Sequence, residues 1–288
     1  MIITKLQGGL GNQMFQYAIA KSKSINEKVF LDFSFLKTNN ISTEHFTKRE
    51  FELDIFNIAY RDFSQKQRNI CFGKSLKNRL LRKLFYGYTK IIKQTENELI
   101  SIPDVKNIYF DGYFQSEKYF KDIRSILIKE FTFPNLDTQN KYTSHKITSV
   151  KNSVSVHIRR GDYLKPEVLK YHGILPWEYY ESAINFIKNK FDETHFFVFS
   201  DDLEFAKTLF NDSQEVSFVE GNMGKDSWKD MCLMSHCKHH IIANSSFSWW
   251  GAWLGDENGC TIAPKNWFNP KVANFNIDDF IPQNWFKI

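Results

Sequence analysis

The chain lacks most of what marks a disulfide-stapled or membrane-spanning protein. Its 288 residues hold four cysteines, Cys71, Cys232, Cys237 and Cys260, at irregular spacing, which implies no disulfide framework. No uninterrupted apolar stretch approaches the ~18 residues that a membrane span needs. The opening Met1-Ile2-Ile3-Thr4-Lys5-Leu6 is too short before its glycines to be a secretory apolar core. It reads as a first β-strand, so a cytoplasmic location is expected. A large excess of one charge is also missing: 38 Lys+Arg against 33 Asp+Glu leaves +5, too mild to indicate a nucleic-acid partner. Arginine is scarce, eight residues against 30 lysines, and no tryptophan precedes Trp177. The chain contains no D-x-D triplet, which argues against the divalent-metal diphosphate clamp of many nucleotide-sugar enzymes. Internal repeats and low-complexity tracts are absent too.

What is present is ordinary globular material, 42% hydrophobic and 25% charged, long enough for one large domain or two smaller ones. Short β-branched runs recur at Ile2–Leu6, Val29–Asp32, Ile108–Phe110, Val154–Ile158, Phe196–Ser200, Val216–Val219, His240–Ala243 and Thr261–Ala263. Helix-like stretches at Trp177–Lys190, Leu203–Phe210, Lys225–Ser235 and Ser246–Leu254 alternate with the later ones. That rhythm predicts α/β architecture with parallel sheets. The polar stretch Leu136–Asn152 reads as a linker between two α/β halves, residues 1–140 and 150–288. One segment, Lys74–Lys93, carries seven basic and no acidic residues with leucines at helical spacing. Such a segment either lies on an anionic membrane surface or packs its apolar side on the core, the commoner arrangement in soluble domains.

Four strings could hold chemistry. Gly8-Gly9-Leu10-Gly11-Asn12-Gln13 follows the first strand and opens a helix; it matches neither G-x-G-x-x-G nor a Walker loop, yet brings backbone amides close to an anion or sugar. Val156-His157-Ile158-Arg159-Arg160-Gly161-Asp162-Tyr163 runs a strand into adjacent arginines. In so arginine-poor a chain this points to planar, bidentate donors for phosphate or carboxylate oxygens, placed where parallel sheets bind ligands. The competing reading is an arginine braced by Asp162. Ser200-Asp201-Asp202 ends another strand, and one of the three is expected to cap the helix that follows. Asn244-Ser245-Ser246-Phe247-Ser248-Trp249-Trp250 offers hydroxyls and free amides at a helix start, its tryptophans packing that helix on the sheet. Cys232, His236, Cys237, His239 and His240 match no standard zinc spacing, so no metal is expected.

These strings resemble a known family. GGLGNQMFQYA at Gly8–Ala18, VHIRRGDY at Val156–Tyr163, FSDD at Phe199–Asp202, NSSFSWWGAWL at Asn244–Leu254 and GYFQSEKYF at Gly112–Phe120 are similar to those of the bacterial α-1,2-fucosyltransferases of glycosyltransferase family 11. The resemblance implies a GT-B-like α/β fold, two Rossmann-like domains with parallel sheets facing across a cleft, the first acceptor-side and the second GDP-fucose-binding. It implies inverting transfer of L-fucose from GDP-β-L-fucose to the 2-hydroxyl of a terminal β-galactoside, free or lipid-linked. GDP-fucose is then a co-substrate, and neither cofactor nor obligatory metal is expected. By resemblance, Arg159 and Arg160 bind the β-phosphate with His157 in support, and Ser245, Ser246 and Phe247 cradle the diphosphate. Asp201 or Asp202 reads guanine, Gly11 and Asn12 lie near the fucose, and Gln115 and Glu117 face the acceptor. The proton acceptor stays open between Asp162, Glu117 and no side chain at all. Transfer of another sugar or linkage, or non-catalytic glycan binding, are the competing functions; a glycan-binding protein would have no need of the arginine pair.

Overall fold

A computed structural model describes residues 1–43, 47–94, 99–210, 214–272 and 278–288. The chain forms two compact units, one of Met1–Phe133 with Asp278–Phe280, the other of Pro134–Val272 with Ile281–Ile288.

The first unit is built on five parallel strands, β1 (Ile2–Lys5), β2 (Val29–Asp32), β3 (Tyr60–Asp62), β4 (Lys90–Lys93) and β5 (Ile108–Asp111), in the order β3-β2-β1-β5-β4. Strand β1 is the centre, with Ile3 paired to Phe30 on one side and to Tyr109 on the other. The chain leaves β1 towards β2 and later returns to its opposite side with β5. That reversal opens a crevice beyond the carboxyl ends of β1 and β5, the usual ligand position in such sheets. Edge strands β3 and β4 carry Arg61, Asp62, Lys90 and Lys93, charges that discourage further pairing. The same charges blur their apolar pattern, so neither was apparent from periodicity.

The second unit holds six parallel strands, β6 (Asn152–Ile158), β7 (Thr194–Ser200), β8 (Val216–Phe218), β9 (His239–Ile241), β10 (Thr261–Ala263) and β11 (Phe286–Lys287), ordered β11-β10-β9-β6-β7-β8. Here the reversal lies between β6 and β9. Every residue of β6 is buried, and its period of two separates two kinds of surface. Val154, Val156 and Ile158 join Tyr179, Tyr180, Ala183 and Ile187 of the helix Trp177–Lys190 in the apolar core. Ser153, Ser155 and His157 point the other way, and Ser155 Oγ meets His240 Nδ1 at 2.8 Å. The helix Ser246–Trp253 buries Trp249, Trp250 and Trp253, with the Trp249 and Trp253 rings stacked at 6.0 Å. Packing is therefore their role. Gly251 lets this helix press on the helix Trp228–His236, since a Cβ there would lie 2.9 Å from Met234 Cβ.

Two expectations change. The polar stretch Leu136–Asn152 is no linker: Thr138–Ser149 is a helix capped by Asp137, which accepts the Asn140 N–H at 3.0 Å. Only Asn140 and Ile147 are buried on it, too few to mark it as a helix by pattern. Asn140 and Asn222 exchange amide hydrogen bonds of 3.0 and 2.8 Å. The basic segment Lys74–Lys93 is a helix only over Leu76–Phe85, followed by β4. No residue of that helix is buried, so it does not lay an apolar side on the core.

Candidate active site

Beyond the carboxyl ends of β6 and β7, two arginines and three aspartates form one network. Arg159 Nη2 contacts Asp162 Oδ1 at 2.5 Å and Nη1 contacts Asp201 Oδ2 at 2.9 Å. Asp201 Oδ1 also accepts the backbone N–H of Arg160 at 2.8 Å. Arg160 Nε donates to Asp202 Oδ2 at 3.0 Å, and its guanidinium lies 3.8 Å from the centre of the Phe205 ring. Asp202 Oδ1 caps the helix Leu203–Leu209 by accepting the Phe205 N–H at 3.2 Å. Capping and bracing thus coexist in one aspartate. Burial would lower the Arg159 pKa, but Asp201 and Asp162 reverse that and raise it. Gly161 is required by space, because a Cβ would approach Asp201 Oδ2 to 2.5 Å.

The end of β9 supplies the neighbouring wall. Ser245 Oγ accepts the Phe247 N–H at 3.3 Å and so caps the tryptophan helix. Phe247 lies 5.8 Å, centroid to centroid, from the ring of His157. Tyr163 joins the two strand ends: its hydroxyl donates to Asn244 O at 2.8 Å, and its ring lies 5.4 Å from the Arg159 guanidinium. His172 stacks on Tyr163 at 5.0 Å, and Asn244 Nδ2 donates to its carbonyl at 3.0 Å. Burial, aided by the Arg159 cation, pushes the His157 pKa down to about 3. Burial also takes His172 down to about 4. Both imidazoles are neutral at ordinary pH.

Buried polar atoms in folded proteins nearly always find a partner, so exceptions mark places that meet something else. Among the described residues, buried side-chain atoms without one include His157 Nδ1, Arg159 Nε, His172 Nδ1 and Asn244 Oδ1. All four belong to residues grouped about the ends of β6 and β9. A neutral imidazole, an amide oxygen and a guanidinium edge suit a polyoxygenated, anionic ligand.

In the first unit the glycine turn is equally organised. Gly8 has φ +78°, and a Cβ there would strike the Asn12 side chain. Asn12 Oδ1 accepts from Gln115 Nε2 at 2.6 Å, linking the turns after β1 and β5. Gly9 offers no side-chain cap to the helix Leu10–Ser22, which contains Gly11. Glu52 serves instead, its Oε2 accepting the Leu10 N–H at 3.0 Å. Burial raises the Glu52 pKa, opposed by Arg49 and by that N–H. Gln115 lines a small recess with Gln94, Leu99 and Tyr119; Glu117 opens a short 3-10 turn beside it without lining it.

Among the described residues no three His, Cys, Asp or Glu side chains converge as metal ligands. His236 Nδ1 meets Ser144 Oγ at 2.9 Å, and His239 Nδ1 accepts the Cys260 N–H at 2.9 Å. The helix-to-strand corner accounts for that cluster.

The profile of glycosyl transferase family 11 matches residues 1–288. The chain belongs to glycosyltransferase family 11. Relatives in Escherichia coli span nearly all of it. An alpha-1,2-colitosyltransferase is 39% identical over 299 residues, 100% of this chain and 99% of its own length. The O-antigen biosynthesis glycosyltransferase WbnK is 36% identical over 309 residues, covering 98% and 99%. Among solved structures, the fucosyltransferase NodZ from Bradyrhizobium superposes with TM-score 0.50 at 12% identity, over 88% of this chain and 93% of that one. That likeness concerns fold alone and identifies the architecture as GT-B-like α/β. As a family 11 glycosyltransferase, the protein moves a sugar from an activated donor to an acceptor.

Sequence reasoning missed Tyr163, His172, Asn244, Arg49 and Glu52. Tyr163 and Asn244 sit inside strings already singled out. His172 ends the helix Pro166–His172, and Arg49 and Glu52 come from a loop; none of these three has a motif to announce it.

Proposed function

We propose that this glycosyltransferase transfers L-fucose from GDP-β-L-fucose to the 2-hydroxyl of a terminal β-galactoside, with inversion and without an obligatory metal. The observation behind this reading is the arginine pair at the strand reversal, with the buried, unmatched Nε of Arg159 and Nδ1 of His157 beside it. In the reaction the bond between the anomeric carbon and the β-phosphate oxygen breaks, and negative charge gathers on the departing GDP. Donors that tighten on that charge lower the barrier instead of only binding substrate. Arg159 and Arg160 fill that role, helped by the Ser246 amide and the Ser245 and Ser246 hydroxyls, the Ser245 N–H being given to Ala243 O at 2.8 Å. The cluster holds two guanidiniums against three carboxylates, so the diphosphate must displace carboxylate contacts. Asp202, freed from Arg160, then has an acceptor for guanine N–H groups. The acceptor oxygen attacks the opposite face and loses its proton. Asp162, engaged with Arg159, acts as a positioning residue, which leaves Glu117, or an oxocarbenium-like transition state that needs no strong nucleophile. In this reading Gln115 stands on the acceptor side and Asn12, which accepts its amide N–H at 2.6 Å, near the fucose.

A second donor is favoured by one observation, the 39% identity to an alpha-1,2-colitosyltransferase. Colitose is L-fucose without its 3-hydroxyl, so the same diphosphate chemistry applies. A site that hydrogen-bonds the 3-hydroxyl discriminates strongly against the deoxy sugar, whereas an apolar one discriminates weakly. The test offers GDP-fucose and GDP-colitose separately with lactose in excess EDTA. GDP release is followed and the product linkage is read by NMR. An α-1,2-fucosylated product with EDTA present is expected. Higher kcat/KM with GDP-colitose would replace fucose as the donor, and EDTA-sensitive turnover would overturn the metal-free mechanism.

A further inference from the structure

We propose that the helix Leu76–Phe85 docks the protein on an anionic lipid bilayer. The helix is held by its ends and by a partly covered inner side, with no fully buried residue. Ser75 Oγ accepts the Asn78 N–H at 3.2 Å, and Gly87, at φ +67°, donates to Arg82 O at 2.7 Å. None of its ten residues is buried, although short helices normally depend on a buried face. Leu76, Leu80 and Leu84 are 77%, 59% and 75% exposed, and Phe85 and Tyr88 follow at 73% and 80%. At about 100° per residue the three leucines share an arc of roughly 80°. Lys77 flanks that stripe on one side, Arg79 and Lys83 on the other. The side turned to the fold holds Asn78, Leu81 and Arg82, all partly covered, and Arg82 Nη1 donates to Cys71 O at 2.5 Å.

The polarity is therefore inverted. A helix packed on its own domain turns leucines inward and cations outward; this one turns three of its four leucines to the outside with cations along both margins. An exposed apolar stripe of this kind calls for a covering partner. The charge decides which: from Lys74 to Lys93 there are seven cations and no acidic residue. An apolar interior behind an anionic surface matches both features, as for helices that lie in the bilayer interface.

The experiment is flotation of the full chain with vesicles of phosphatidylcholine, or of phosphatidylcholine and phosphatidylglycerol in equal parts, at low and high salt. Binding to the anionic vesicles at low salt, weakened at high salt, is expected. The combined variant Lys77→Glu, Arg79→Glu, Lys83→Glu should bind at least about 10²-fold more weakly, at roughly fivefold per cation. Leu76→Ser, Leu80→Ser, Leu84→Ser should remove the salt-resistant part. All six positions lie outside the candidate active site, so melting temperature and GDP release with soluble lactose should match the wild type in both variants. No flotation at low salt overturns the proposal, as does equal binding to the two kinds of vesicle. A wild-type dimer dispersed by the leucine variant, with no vesicle binding, would make a second copy the partner.

Discussion

Replacing Gly161 by alanine probes how the arginine pair is held. The new Cβ would lie 2.5 Å from Asp201 Oδ2 and 2.9 Å from its Cγ, whereas carbon contacts settle at about 3.5–4.0 Å. Gly161 has φ −28°, outside the left-handed region, so the conflict is one of space. The Asp201 carboxylate must retreat by roughly 1 Å. It accepts the Arg160 N–H at 2.8 Å and pairs with Arg159 Nη1 at 2.9 Å, and such a retreat takes at least one of these contacts beyond hydrogen-bond range. One hydrogen bond to a charged group is worth about 1.5–3 kcal/mol. If the arginines stabilise the departing diphosphate, kcat/KM for GDP release falls by roughly 10- to 150-fold at 1.36 kcal/mol per decade. Asp201→Ala removes the atoms that the Cβ would strike. In that background Gly161→Ala should therefore cost no more than about 0.5 kcal/mol, the ordinary scatter of additivity. Steady-state GDP release on the four proteins of the cycle, with thermal melts to verify folding, gives the answer. Full activity in Gly161→Ala, or the same loss in both backgrounds, refutes the account.

Arg160→Lys keeps the charge but loses the Nε bond to Asp202 and the stack on Phe205, so it should lose about 10²-fold in kcat at saturating donor, as Arg160→Ala should; near-normal turnover in either contradicts the assigned role. Stability should fall as pH drops below about 6.5, because His157 and His240, with pKa values near 3 when folded, take protons first in the unfolded chain, each contributing up to about 1.4 kcal/mol per pH unit. Asp230 works in the opposite sense: burial lifts its pKa from 3.8 to about 7, so its cost grows as pH rises through that window. Asp230→Asn should raise the melting temperature at pH 8 and steepen the acid-side loss; a lower value at pH 8 refutes this. Glu52→Ala should strip hydrogen-exchange protection from the Leu10 amide, by about 1 kcal/mol on the scale of a lost helix cap, while Glu52→Gln, which still offers an oxygen, should largely keep it.

The parts of this fold that announce themselves in the sequence are those whose physics is local. Strand β6 is legible because its β-branched residues alternate with small polar ones, and its end is legible because two adjacent arginines in a lysine-rich chain have no simpler explanation. The serine start of the tryptophan helix is legible for the same reason, since a cap and the residues it caps lie side by side. What escapes is anything completed from a distance. Glu52 caps a helix from 42 residues away, and His172 reaches the site only because its helix ends beside Tyr163. The helix Thr138–Ser149 is held by an amide pair with Asn222 and an ion pair between Asp137 and Lys229 of 2.8 Å, neither of which leaves an apolar period. The basic helix shows the limit most sharply. Its leucine spacing establishes that it has an apolar side, and that is all a period can establish. Which side turns inward depends on what the neighbouring helix Gln65–Phe72 presents, and there the carbonyl of Cys71 takes a guanidinium. An arginine anchored inward leaves Leu76, Leu80 and Leu84 outward, so the exposure on which the proposed docking rests is written in another element.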